Sequence, residues 1–211
     1  MTSPAALPRV TVSANAQGAA LPDSFVITAR VAAHAGDTAK AAKTLITRYA
    51  QLEAAVARLP ASVEIGHGPM TNWPDGAKRS NWHAERTMTL TGADLALVGE
   101  VANTVAAVPD VALDGPHWRL GPDAAVHAEL QGRVVHEART RAERYAATLG
   151  GVLGRLVELR DEGGSHFHMQ TASMDSWRGG GPPDVASLDL TPQQVEVHAA
   201  VTATWYLVLP E

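Results

Sequence analysis

Two imidazoles one residue apart, His166-Phe167-His168, form the sharpest chemical pattern in the chain. In an extended segment, residues i and i+2 project to the same side, so the pair offers two nitrogen donors to a single Zn, Cu or Ni ion. Met169 and Met174 are soft ligands close by, suited to Cu(I). The setting argues for solvated residues as the default, because the pair borders a Gly-rich stretch and no acidic or cysteine ligand stands at a recognisable spacing. Nine histidines in 211 residues also produce such pairs by chance.

Other reactive constellations are weaker. A serine hydrolase would need an activated hydroxyl, but there is no Gly-x-Ser-x-Gly elbow, and Ser13, Ser165, Ser173, Ser176 and Ser187 lack an activating context. Asp161-Glu162, with Glu158 nearby, could work as an acid/base pair, yet charges at a strand end normally meet solvent. Gly179-Gly180-Gly181 runs into Pro182-Pro183 without a following Lys-Ser/Thr, so it is no phosphate-binding loop. No cofactor is called for.

Partner-facing residues are the better candidates. Trp73, Trp82, Trp118, Trp177 and Trp205 form an aromatic set in which packing is the default role, and Trp205 belongs to a regular buried face. Trp177 stands in irregular sequence, where an indole can anchor a partner or subunit. Arg133, Glu137, Arg141 and Arg144 share a helix with i,i+4 charge spacing. That pattern describes either a solvated face or an ion-pair surface between subunits.

Positioning these residues requires a folded core, and the composition supplies one: 45% of the residues are hydrophobic and 18% charged, enough for one substantial core or two small ones. The formal charge of −5, with scattered basic residues, argues against a nucleic-acid partner. Lack of cysteine excludes disulfides, thiolate catalysis and Cys-type zinc sites. Met1 to Ala20, interrupted by Pro4, Pro8 and Arg9, does not read as a secretory leader, and no segment approaches the roughly 18 apolar residues of a membrane span. A cytoplasmic protein is expected.

Periodicity supplies the elements. Val10 to Ala14 and Phe25 to His34 read as strands separated by Pro22-Asp23. Asp37 or Thr38 then caps a helix with Ala41, Leu45, Tyr49, Leu52, Val56 and Leu59 on one face and Pro60 at its end. Val63, Ile65 and His67 mark a third strand, and Pro74-Asp75-Gly76 turns it into Asn81 to Thr91. A short helix over Asp94 to Val108 and strands at Val111 to Leu113 and His117 to Leu120 follow. Pro122-Asp123 opens a long helix whose stripe is Val126, Leu130, Val134, Ala138, Ala142, Tyr145 and Leu149. Gly150 stops it, and Val152 to Leu159 returns as a strand. Residues 163–192 are too irregular for an ordinary connection and read as a loop or interaction arm. Val195 to Leu209 alternates as a final long strand. Together these give an α+β fold, a mixed, largely antiparallel sheet backed by amphipathic helices. It is expected as one domain over 1–211, with two αβ subdomains at about 1–120 and 121–211 as the alternative.

Several segments in this order resemble the SIMPL-domain family, bacterial proteins akin to the signalling molecule that associates with mouse Pelle-like kinase. They are Val10-Thr11-Val12-Ser13 before Pro22-Asp23, Asp94-Leu95 with Val98-Gly99-Glu100-Val101, Ala138-Arg139, Ala142, Ala147 and Leu149-Gly150, then Leu153-Gly154 and Val195-Glu196-Val197. The resemblance spans nearly the whole chain and consists of fold punctuation, not a catalytic signature. It implies an α+β domain that tends to assemble into oligomers and is linked in bacteria to envelope function and oxidative-stress defence, without an established enzymatic activity. Asn15-Ala16-Gln17 stands where Gly-Glu-Gly-like residues are common, Gln193-Gln194 replaces a usual Pro-Gly-like turn, and the leader expected of exported members is not read in Met1 to Ala20. The expected function is therefore a non-enzymatic homo-oligomeric scaffold or stress-tolerance factor, with a protein partner at the 163–192 arm. The alternative is a metal- or small-molecule-binding enzyme using a histidine cluster that adds His83, His117 or His198 to His166 and His168.

Overall fold

The structure, a computed structural model, describes residues 8–75, 81–162 and 190–210. His166, His168, Trp177 and nearly all of 163–192 lie outside the described residues. In chain order the elements are β1 (Arg9–Ala20), β2 (Ser24–Ala35), α1 (Thr38–Val56), β3 (Val63–Asp75) and β4 (Asn81–Gly92). A 3-10 turn at Leu95–Leu97 leads into α2 (Val98–Ala106), followed by β5 (Val111–Arg119), α3 (Ala125–Thr148), β6 (Val152–Asp161) and β7 (Val195–Val208).

The α+β class holds, but the strands form two sheets, ordered β3-β4-β2-β5 and β1-β7-β6, and every pairing is antiparallel. Among the described residues no parallel pair of the expected mixed sheet occurs, for a topological reason. The crossover through α1 carries the chain from β2 to β3, and β4 lies between them. The crossover through α2 leads from β4 to β5, and β2 lies between those two. Each helical connection therefore skips one antiparallel strand instead of laying parallel neighbours side by side.

Two compact units result, one containing β2 to β5 with α1 and α2, the other containing β1, α3, β6 and β7. One division falls near residue 120, and β1 belongs to the unit that holds α3, β6 and β7. It does so because it pairs with β7 over its full length, from Arg9 opposite Tyr206 to Ala20 opposite Val195.

In the four-stranded unit, alternation along β2 sends Phe25, Ile27, Ala29, Val31 and Ala33 into a core where each is fully buried. Helix α1 covers that core with Ala41, Leu45, Tyr49, Leu52 and Val56. Its start is set by Asp37, whose carboxylate accepts the Lys40 amide at 2.8 Å; that bond holds the exposed carboxyl below its ordinary pKa. Leu59 falls beyond the helix end and is only half-buried. In β5, Gly115 adopts φ +113° beside a register shift opposite Val26 and Thr28; an added Cβ would stand 2.8 Å from the Val26 carbonyl oxygen, so only glycine fits.

In the three-stranded unit, Val12, Ala14 and Ala16 of β1 and Val197, Val201, Ala203, Trp205 and Leu207 of β7 form the buried face, as the alternation predicts. Helix α3 covers it, but along a different stripe from the one expected. Leu130, Val134, Ala138, Ala142 and Ala146 are buried, whereas Tyr145 and Leu149 are exposed. A row at every fourth residue is inclined about 26° to the helix axis. The contact line therefore runs obliquely to the end of the helix, reaching Ala146 in place of Tyr145. The helix stops as the double glycine predicts: Gly150 sits at φ +74°, the Gly150 amide donates to the Ala147 carbonyl and the Gly151 amide to the Ala146 carbonyl, both at 2.9 Å.

Adjacent residues on α1 test the assigned core face. Leu45 is 1% exposed and Ile46 62%. Leu45→Ala should cost about 2–5 kcal/mol, and Ile46→Ala no more than about 0.5 kcal/mol, measured as shifts in urea unfolding. Equal losses at the two positions would place the core elsewhere.

Candidate functional site

Placement of the histidines decides between a site and a surface. The described ones fall into separate settings. On the four-stranded sheet, His34 of β2, His83 of β4 and Trp73 of β3 are directly opposite one another in register, forming a ladder of three rings. Ring centroids are 4.4 Å apart for His34 and His83 and 4.2 Å for Trp73 and His83. Beside them Glu85 approaches His83 Nε2 at 3.4 Å and Arg30 at 3.5 Å. A second cluster joins Tyr49 of α1 to His67 of β3 through a 2.8 Å bond to Nδ1. The Arg86 guanidinium lies over the Tyr49 ring, 4.1 Å from its centroid, and donates to the Gly68 carbonyl at 3.0 Å. Burial is the leading cause that raises the Tyr49 phenol above its ordinary value, while Arg86 opposes the shift.

Elsewhere in that unit, His117 is buried and its Nε2 stands 3.2 Å from Asp114. In the other unit, His127, Asp161 and His198 line one shallow pocket with Leu130, Gln131, Val197 and Ala199. His136 stands on the exposed face of α3 with Arg133, Glu137, Thr140, Arg141 and Arg144. Among the described residues, no group of three or more His, Cys, Asp or Glu side chains is placed to hold a metal ion. His83, His117 and His198, named as additions to a histidine cluster, occupy three different settings. His34, Tyr49 and His67 are placed by the sequence on strands and a helix but not as site residues, since only the fold brings them to their partners.

The arginines of α3 have a defined job within the chain. The Leu207 amide donates to the Pro8 carbonyl, which sets the even-numbered residues of β1 toward β7 and turns the odd-numbered ones to the outer edge. Two of those outward carbonyls are engaged by α3. Arg141 donates to the Ser13 oxygen at 2.5 Å and to the Glu137 carboxylate at 2.6 Å, and Arg133 donates to the Gln17 oxygen. Two of the outward carbonyls of the β1 edge are thereby occupied, which hinders strand addition there. Arg144 carries no such bond to β1.

The far side of the same sheet is different. Strand β6 is terminal among the described residues, and Val152, Leu156 and Leu159 are 63%, 49% and 46% exposed, with Val157 also exposed. Leu156 and Leu159 stand opposite Trp205 and Ala203 of the buried face, whereas Val152 stands opposite the exposed Val208 on the other face.

Fold and surfaces together define a two-sheet α+β protein whose distinctive chemistry lies on strand edges and sheet faces. A family model agrees with this class. The SIMPL model, described as a protein of unknown function (DUF541), matches residues 10–205, and the chain belongs to that family. A search of curated proteins finds no match. No helix among the described residues is long and apolar enough to cross a membrane.

The Tyr49 environment gives a pH test. A phenol with a raised folded pKa keeps its proton in the native state while the unfolded chain loses it. Stability is therefore full below the ordinary value of 10.0 and falls as pH rises through the folded value. Tyr49→Phe should remove this alkaline loss when urea midpoints are compared across that range. An identical alkaline slope in both proteins would contradict the assigned burial.

Proposed function

We propose that this SIMPL-family chain is a non-enzymatic protein that works as a homo-oligomer, a scaffold contributing to stress tolerance, with binding carried by surfaces. The observation that carries the reading is the set of exposed aliphatic side chains on β6, which among the described residues is an edge strand of its sheet. Leaving several half-exposed aliphatic side chains on an edge strand is costly in water and invites association, and a second subunit relieves both problems. Family membership supports the role, since the family resembled is linked to oxidative-stress defence. The 163–192 arm with Trp177 serves as a partner contact, and the exposed Arg144 as a subunit contact. The cytoplasm is the proposed location.

A second reading, a metal- or small-molecule-binding enzyme, has one observation in its favour. His34 and His83 nitrogens approach to 3.1 Å while Glu85 addresses the other nitrogen of His83, and a carboxylate behind a histidine is a common support for a bound ion.

Native mass determination with and without added Zn or Cu separates the two. The first reading predicts a mass above 22.2 kDa that is independent of metal. A monomer throughout would overturn it, and stoichiometric metal uptake abolished by His34→Ala would favour the second.

A further inference from the structure

We infer that two copies of this chain join edge to edge through β6, antiparallel about a two-fold axis at Leu159, merging their three-stranded sheets into one continuous sheet; the inference rests on the proposed homo-oligomer. The hydrogen-bond phase of β6 comes first. The Glu162 amide donates to the Ala200 carbonyl, and Glu162, Arg160 and Glu158 lie opposite Ala200, Thr202 and Thr204 in one continuous register. In an antiparallel ladder, residues that exchange bonds with one neighbour alternate with residues whose amide and carbonyl face the other way. Glu158 and Arg160 therefore bond toward β7, and the backbone of Leu159 faces the edge on which no strand among the described residues pairs.

A second β6 must use those outward groups, which restricts the symmetric registers to a few. With Leu159 opposite Leu159 of the second copy, Glu158 stands opposite the second copy's Arg160, and Arg160 opposite its Glu158. These fall at non-hydrogen-bonded positions, where side chains come closest. The neighbouring symmetric registers set Glu158 against Glu158 or Arg160 against Arg160, like charges directly opposed. Of these three registers the Leu159-centred one alone is complementary in charge, and an axis at Asp161, though it sets Arg160 against Glu162, opposes Asp161 to itself. The two side chains already share one face of the strand, since Arg160 Nε donates to the Glu158 carboxylate at 2.7 Å. Pairing converts two such bonds into a four-charge cluster. Because each copy presents the same patch, the contact closes on itself and ends at a dimer through this edge. It also explains the asymmetry of the sheet: Arg133 and Arg141 guard β1 against strand addition, while β6 has alternating charges that select one partner register.

The chain has no cysteine, so a single introduced thiol reports position cleanly. Leu159→Cys should be joined to itself by a short bis-thiol reagent in high yield, and Ile46→Cys, on α1 of the other unit, should not. Glu158→Arg should weaken association about tenfold, and the double exchange Glu158→Arg with Arg160→Glu should restore it. Circular dichroism checks that the variants fold; both side chains are at least half exposed, so folding tolerates the exchange. If the native protein is larger than a monomer but Leu159→Cys fails to cross-link, the edge pairing is wrong and the assembly reading survives. A strictly monomeric native protein overturns both. Association unchanged by Glu158→Arg would overturn the register.

Discussion

The long pairing of β1 with β7 is the constraint on which the three-stranded unit depends. Twelve residues near the start of the chain are zipped to twelve near its end, from Arg9 with Tyr206 to Ala20 with Val195. Closing so long a loop is entropically unfavourable, and only a continuous ladder with a buried face offsets it. That face comes from alternation: Val12, Ala14 and Ala16 against Val201, Ala203 and Trp205, all beneath α3. On the opposite face the same register pairs hydroxyls, Thr11 with Thr204 at 2.9 Å and Ser13 with Thr202 at 2.8 Å. One register therefore satisfies an apolar and a polar surface, and a slip by one residue would invert both.

From that pairing follows the division of labour along the sheet. With β7 in the centre, β1 and β6 become edges, and edges present unpaired backbone groups. Helix α3 lies close enough for Arg133 and Arg141 to reach the outward carbonyls of β1. Their spacing of eight residues, about two helical turns, matches the four-residue step along the strand from Ser13 to Gln17. At β6 the exposed leucines and alternating charges stand where β1 has guanidinium cover. The two edges of one sheet thus carry opposite treatments, and the surface chemistry of the unit follows from which edge the helix covers.

Much of this was readable from sequence because hydrophobic period reports local structure directly. The α1 face, the Asp37 cap, the Gly150 stop and the alternation in β2 and β7 all arise from neighbours within a few residues. Partnering between distant segments was not readable. Nothing local in Val10 to Ala14 says that β1 leaves Phe25 to His34 for a strand near the end of the chain. The α3 stripe was misread at Tyr145 and Leu149 because the helix crosses its sheet obliquely, an angle set by packing. His34 with His83 and Tyr49 with His67 required strand register before their proximity had meaning. The exposure of Leu156 and Leu159 depended on β6 being terminal, a property of topology that an apolar run conceals.

Residue-resolved amide hydrogen exchange tests the closure of β1 on β7 most directly. Val10, Val12, Ala14 and Ala16 donate toward β7 in this register, so their amides should open with the same free energy as those of Val201 and Ala203. The amides of β2, adjacent in sequence but in the other unit, should open separately. Protection of β1 that tracks β2, or β1 amides that exchange freely while β7 stays protected, would contradict the account.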